Sequence, residues 1–233
     1  MNYKEQRATE LKEKRPQAGY CGLYNRIIKR IIDFILSLAA AVAVTPIVFI
    51  IGIFIAIEDG FPVFYTPLRG GYQGKAFRIF KLRTMYKGAD KMGGTTALND
   101  PRITRMGKAL RKLKLDELPQ VYNVLLGSMS FIGPRPELLR YTEAYKDEEK
   151  IILEVRSGIT DFSSIEFISL DEIVGAENAD EMYEKYVLEK KNKLRIRYAK
   201  EVSFGTDVSL FFKTVTAVFK KAMRVVGKSD REK

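Results

Sequence analysis

The 233-residue chain contains no histidine, and Cys21 is its only cysteine. A single cysteine excludes an internal disulfide and any zinc site built on cysteines. The absence of histidine removes Ser-His and Cys-His nucleophile schemes, together with every histidine metal site. Hydrolytic or transfer chemistry is therefore left to carboxylates, Lys, Arg or Tyr. An aspartate suits that restriction, because a carboxylate is ionised at pH 7 and needs no general base to act as a nucleophile. Internal repeats and low-complexity segments are also absent. A signal peptide is not expected, since the apolar run begins late and lacks a small-residue cleavage site.

What the sequence has in excess is positive charge. A net charge of +11 and a pI near 9.5 predict an anionic partner: nucleic acid, anionic lipid or a phosphorylated substrate. No basic groove interleaved with aromatics stands out, which argues against nucleic acid.

The run from Phe34 to Ile57 carries no charged residue. As one straight helix its 24 residues would extend roughly 36 Å, against about 30 Å for a bilayer hydrocarbon core. Thr45-Pro46 sits at its middle, where proline deletes a backbone hydrogen bond and kinks a helix. Arg26, Lys29 and Arg30 precede the run; Arg69, Lys75, Arg78, Lys81, Arg83, Lys87 and Lys91 follow it. Basic flanks favour the cytoplasmic side. A kinked segment entering and leaving by one leaflet satisfies both flanks, whereas a single span with a proline kink strands one outside.

Downstream, Pro62 to Tyr65 and Ala76 to Leu82 read as short strands around the turn Gly70-Gly71-Tyr72-Gln73-Gly74. Residues 86–104 form a polar loop containing Gly93-Gly94-Thr95-Thr96. Helix resumes near Thr104 and ends near Gly127. Glu137 to Val155 is charged and helical, Arg156 to Ser164 a loop. A charged helical stretch runs from about Ala179 to Glu201 with a break near Asn192. Asp207 to Val226 places Val208, Phe211, Phe212, Val215, Val218 and Phe219 at helical spacing among lysines. That pattern suits a helix on an anionic leaflet, with core packing as the alternative.

The stretch Lys108 to Gln120 concentrates the chemistry. Leu110, Leu113, Leu115 and Leu118 give a helical segment an apolar side, while Lys108, Arg111, Lys112 and Lys114 run up to Asp116 and Glu117. Neighbours on a helix point about 100° apart, so one acid can meet an electrophile while the other holds a cation. A basic cage around two acids suits a phosphate plus a divalent metal. The plainer alternative is a solvated acidic pair on a basic helix. Gly133-Pro134-Arg135-Pro136 adds a rigid turn presenting a guanidinium.

Six motifs in order resemble the bacterial sugar transferase family, the monotopic polyprenyl-phosphate phosphoglycosyl transferases. They are Lys29-Arg30-Ile31-Ile32-Asp33; Thr45-Pro46; Lys81-Leu82-Arg83-Thr84-Met85; Asp100-Pro101-Arg102-Ile103-Thr104; Leu115-Asp116-Glu117-Leu118-Pro119-Gln120; and Met129-Ser130-Phe131-Ile132-Gly133-Pro134-Arg135-Pro136. The resemblance covers about residues 25 to 220. It implies an α+β, mostly helical monotopic protein with a re-entrant helix-break-helix at 26–58 broken at Thr45 and Pro46. It further implies a cytoplasmic catalytic domain at 59–226 with surface amphipathic helices and a small β-hairpin. Residues 1–25 and 227–233 are then tails, and the short architecture of the family is expected.

In function, the resemblance implies transfer of a phospho-sugar from a UDP-sugar to polyprenyl (undecaprenyl) phosphate, with release of UMP, at the cytoplasmic face of the bacterial inner membrane. Asp116 becomes the nucleophile that forms an aspartyl phospho-sugar, and Glu117, alone or with Asp116, becomes a ligand for Mg2+. Lys81, Arg83, Arg102, Arg111 and Arg135 are the expected phosphate-binding residues, unless they pair with nearby acids. Asp161 lies in Ser157-Gly158-Ile159-Thr160-Asp161-Phe162-Ser163-Ser164-Ile165, where many members carry Pro-Gly-Ile-Thr-Gly-Trp. This departure leaves the sugar open and places Asp161 near the sugar pocket. A homodimer is compatible with the sequence. A direct displacement by the lipid phosphate, and a non-catalytic membrane-anchored scaffold, are the competing readings.

Overall fold

A computed structural model describes residues 19–89, 100–170 and 179–229. The Gly93-Gly94-Thr95-Thr96 loop, most of the predicted tail 1–25 and residues 230–233 lie outside the described residues. The apolar run forms α1, Lys29–Asp59, entered through a π-helical turn at Tyr24–Ile28. Its buried residues are Lys29, Asp33, Ser37, Ala41, Val48 and Ile55, spaced by fours and sevens, so one stripe faces the protein. The opposite flank, with Ile31, Ile35, Val42, Phe49, Ile53 and Ile57, is exposed. The expected helix-break-helix is a single helix here, with Pro46 inside it. Proline deletes one hydrogen bond without obliging a helix to end. Beside it, the Thr45 hydroxyl reaches the Ala41 carbonyl at 2.7 Å and lies 2.9 Å from the Tyr122 hydroxyl.

The predicted hairpin is present as two nested antiparallel ladders. β1 (Phe64–Tyr65) pairs with β4 (Lys81–Leu82), and β2 (Leu68–Gly70) with β3 (Ala76–Arg78), in the registers Phe64↔Leu82 and Arg69↔Phe77. Next come α2 (Arg105–Leu113) and α3 (Gln120–Leu126). Thr104 caps α2, its hydroxyl accepting from Gly107 N at 2.9 Å.

β5 (Ser130–Ile132) pairs in parallel with β6 (Gly158–Thr160), so part of the predicted 156–164 loop is a strand. A Cβ on Gly158 would lie 2.1 Å from Gly133 N, which requires glycine at this crossing. Between these strands lie only α4 (Leu139–Glu143) and a 3-10 run, Asp147–Glu154, where a longer helix was expected. The chain continues through α5 (Phe162–Glu166), α6 (Ala179–Tyr183), a π-helical turn at Glu184–Leu188, α7 (Glu189–Glu201) and α8 (Phe204–Ser229). Asn192 is buried within α7, not at a break. α8 overruns the expected tail boundary at 227.

Both ends of α1 are held by one body. At its start Lys29 pairs with Asp207, Arg30 donates to the carbonyls of Val124 (2.6 Å) and Leu125 (2.8 Å), and Asp33 accepts from Phe131 N. At its end Arg83 donates to the carbonyls of Asp59 (3.0 Å) and Gly60 (2.6 Å). Glu58 accepts from the N–H groups of Arg105 and Met106, placing an anion at the positive end of α2. Val48 and Ile55 pack with Leu82 and Leu110. Farther away, Ile132, Val155, Tyr198, Val202 and Leu210 form the core that seats α7 and α8.

Candidate active site

Lys114 adopts a left-handed conformation (φ 58°) that ends α2, and Leu115–Glu117 follow as a 3-10 turn. Asp116 and Glu117 therefore sit on a tight turn between α2 and α3, not on the helix expected from sequence. With three residues per turn their side chains diverge by about 120°. Leu115 and Leu118 pack against the cluster of Leu82 and Leu110, pinning the turn from below. Gly107 lets the α2 backbone approach Thr84, since a Cβ there would fall 2.1 Å from the Thr84 carbonyl oxygen. That approach sets Arg111 Nε 2.8 Å from the Thr84 hydroxyl.

A cleft of about 1580 Å³ opens over this turn. Lys81, Arg83, Arg102, Arg111 and Arg135 line it together with Asp116 and Glu117, so the expected cations converge from four separate segments, Lys81 and Arg83 sharing one. Glu117 Oε1 accepts from Lys81 at 3.1 Å and from Arg135. Burial alone would raise the Glu117 pKa, but the charges of Arg135 and Lys81 outweigh it and hold the carboxyl well below its usual range. Asp116 is the contrary case. It is buried, and its Oδ1 has no hydrogen-bond partner among the described residues. Burial and then the Glu117 charge push its pKa up, while Lys81, Arg111 and Lys114 oppose them. A buried unpartnered carboxylate oxygen is costly unless something completes it.

The remaining expected residues divide. Arg83 lines the cleft but spends Nη2 on the end of α1, while its buried Nε and Nη1 have no hydrogen-bond partner among the described residues. Arg102 chelates Asp100, at 2.6 Å for Nη2, and donates to the Ala89 carbonyl, which fixes the loop entering α2. The Asp161 carboxylate caps α5, accepting from Ser164 N (2.8 Å) and from the hydroxyls of Ser163 and Ser164. Asp161 is fully buried, and it is Thr160, Ser163 and Ser164 that line the cleft. One flank of the cleft is apolar, with Ala40 and Val44 from α1 and Phe211, Val215 and Val218 from α8.

The family model of bacterial sugar transferases matches residues 24–221. The chain belongs to the bacterial sugar transferase family. As a member it is an enzyme of the transferase class. A Bacillus subtilis relative, named provisionally as an undecaprenyl-phosphate N-acetylgalactosaminyl 1-phosphate transferase, is 43% identical over 52% of this chain and 68% of its own. The Escherichia coli UDP-glucose:undecaprenyl-phosphate glucose-1-phosphate transferase is 33% identical over 82% of this chain but only 40% of its own length. The uncharacterized sugar transferase EpsL of Bacillus subtilis is 32% identical over 82% and 87%.

The transferase also carries a polar cluster that the sequence reading missed. Glu137 Oε1 accepts from Arg195 at 2.5 Å and from the Tyr183 hydroxyl, and Lys191 stands 3.8 Å away. Glu137, Tyr183 and Lys191 line the cleft. Their signal was the spacing 191, 192, 195, 198, 199, a helical stripe of buried residues. Three of its five members are polar or charged, and such residues read as solvated.

Proposed function

We propose that this transferase moves a phospho-sugar from a UDP-sugar to polyprenyl (undecaprenyl) phosphate through a covalent aspartyl phospho-sugar, as the first membrane step of bacterial glycan assembly. The observation that carries the reading is the unpartnered Asp116 oxygen, buried in a cation-lined cleft with an apolar flank. The names of the relatives in E. coli and B. subtilis describe undecaprenyl-phosphate sugar-phosphate transfer and agree with it.

In this scheme Asp116 attacks the phosphorus that bears the sugar. The new bond is carboxylate O–P; the bond broken joins that phosphorus to the oxygen that leaves with UMP. A phosphate oxygen of the polyprenyl carrier then attacks the same phosphorus and frees the Asp116 carboxylate, giving polyprenyl-diphospho-sugar. Both nucleophiles are ionised oxygens, so no general base is required, in keeping with a chain that has no histidine. Phosphoryl transfer is governed by positioning and charge neutralisation. Lys81, Arg111 and Arg135 supply the positive charge, and the rigid Gly-Pro-Arg-Pro turn holds Arg135 in place.

Magnesium fits the donor set. The free Asp116 oxygen and the Glu117 carboxylate are hard ligands, and substrate phosphates customarily complete such a site. When bound, the ion would neutralise phosphate oxygens and favour departure of UMP.

The membrane placement we propose is monotopic and re-entrant, on the cytoplasmic face of the inner membrane, with α1 bending at Pro46 while staying helical rather than breaking there. It is supported by the two ends of α1 being bonded to the same body and by the basic flanks. The exposed Phe204, Phe211, Phe212 and Phe219 of α8 extend the apolar surface, as an interfacial helix would. The enzyme in nanodiscs, given UDP-sugars and polyprenyl phosphate, should release UMP with at least one donor. Asp116→Asn should remain folded and lose that release. Absence of UMP with every donor, or near-normal turnover by Asp116→Asn, contradicts the reading.

A further inference from the structure

The cleft wall also holds a charge imbalance around Glu137. Lys191 and Arg195 are both buried, and among the described residues they share Glu137. Arg195 takes the good geometry, at 2.5 Å. Lys191 Nζ stands 3.8 Å from the same carboxylate oxygen, too far for a hydrogen bond, and 3.4 Å from the Tyr183 hydroxyl, a marginal one. An ammonium carries three donor hydrogens, so at least two have no acceptor among the described residues. Lys191 is only 6% exposed, yet it lines the cleft. A buried cation left so poorly paired is costly unless a ligand completes it.

The surroundings indicate what that ligand is. Lys191 feels the charges of Arg135 and Asp161, so it lies within electrostatic reach of the guanidinium that pairs with Glu117. Tyr141 and Tyr183, with ring centroids 5.8 Å apart, and Ser163 and Ser164 line the same cleft. The Lys191 ammonium stands 5.0 Å from the Tyr183 ring centroid, a contact that uses none of its hydrogens as a hydrogen bond would. Ser163 and Ser164 give their hydroxyl hydrogens to Asp161, and Tyr183 gives its own to Glu137. That leaves the Lys191 ammonium as the uncommitted donor on this part of the lining, suited to a polyol bearing acceptor oxygens. The sugar is joined directly to the phosphorus that Asp116 would attack, so it must lie against a wall adjoining the phosphate cations.

We propose that Lys191 is a sugar-recognition residue, donating to an acceptor oxygen on the hexose (hydroxyl, acyl carbonyl or carboxylate) and so setting which UDP-sugar is used. The assignment rests on the proposed transfer reaction, because it takes the donor phosphates to lie beside Asp116. As a group offering donors only, Lys191 favours an acyl oxygen over a free amine at the recognised position.

The test compares UDP with UDP-sugars on the full-length enzyme in nanodiscs. Binding of UDP, UDP-glucose, UDP-N-acetylglucosamine and UDP-N-acetylgalactosamine is titrated for wild type and Lys191→Met. The sugar-dependent gain in affinity over UDP should fall by roughly tenfold to a hundredfold for the preferred donor, with UDP affinity unchanged. The variant's Tm should hold or rise, because a poorly paired buried charge is gone. Equal weakening of UDP and UDP-sugar, an unchanged preferred donor, or a lower Tm with intact sugar preference would each overturn the assignment. Wild type that binds neither UDP nor any UDP-sugar would instead sink the transfer reaction itself.

A wild-type control covers the case of a variant that does not fold. Burial, and then Arg195, lowers the Lys191 pKa to about 8. Facing it, Glu137 is held down to about 2, while Tyr183 and Arg195 are pushed up, so those three keep their charge states from pH 7 to 9. The affinity ratio of UDP-sugar to UDP should therefore decline as pH rises through about 8. A flat ratio counts against Lys191.

Discussion

Adjacent in the chain, Asp116 and Glu117 stand in opposite surroundings. Glu117 Oε1 accepts from Lys81 at 3.1 Å and from Arg135, whereas Asp116 Oδ1 is buried with no hydrogen-bond partner among the described residues. The 3-10 turn makes this possible by sending the two side chains in different directions. One acid is neutralised by the protein, and the other is the one the proposed reaction uses on its substrate.

Arg135 should therefore act on both catalysis and its pH dependence. Its guanidinium is a major reason that Glu117 stays ionised despite burial. In Arg135→Met the Glu117 pKa should rise, moving the acid limb of kcat/KM for UMP release to higher pH. The rate at the optimum should drop on the order of a hundredfold, as when one preorganised donor is lost. An unmoved acid limb would separate Arg135 from Glu117.

Glu137 makes the second prediction, one of stability. Its pKa is lowered to about 2 from 4.5: burial opposes ionisation, but Arg195 and Lys191 prevail. A depressed folded-state pKa stabilises above the unfolded value, and that contribution is lost as pH falls. The window here runs from about 4.5 down to 2. Glu137→Gln should cost roughly 3–5 kcal/mol at pH 7, because two buried cations lose their anion. The two proteins should converge in Tm as pH approaches 2. Parallel Tm curves across that range would contradict the assignment.

The lone cysteine offers a test of topology. Cys21 lies before α1, is partly exposed, and has no disulfide partner; Lys75, in the hairpin turn after α1, is exposed. A membrane-impermeant maleimide should label Cys21 and a Lys75→Cys variant in inverted vesicles, and neither in intact spheroplasts. Labelling of Cys21 alone from outside would mean that α1 crosses the bilayer.

Much of the architecture was legible because it follows periodicity or composition. The uncharged run gave α1, the spaced Val and Phe residues gave α8, and the glycine-rich turn gave the hairpin. The cations foreseen as phosphate-binding do line one cleft. Other features lacked a local signal. Lys114 ends α2 with φ at 58°, although neither Gly nor Pro marks the spot. The pairing of β5 with β6 joins three-residue segments 28 positions apart (Ser130↔Gly158), too short for any period to show. Asp161 was expected among the substrate-binding residues near the sugar pocket; its neighbours Thr160, Ser163 and Ser164 line the cleft, while its own carboxylate is taken up as a helix cap. Pro46 was read as a break, and the helix passes through it. Lys191 and Arg195 lay in a stretch read only as charged and helical, and charge in a helix is ordinarily outside, so nothing local marked them as buried.

The most direct measurement is UMP release by stoichiometric enzyme given its UDP-sugar donor and Mg2+ with no lipid acceptor, followed by mass spectrometry of the protein. A burst approaching one UMP per enzyme is expected, with the mass of a phospho-sugar added on the peptide containing Asp116 and absent from Asp116→Asn. Complete dependence of UMP formation on polyprenyl phosphate, with no adduct at Asp116, would contradict the covalent route.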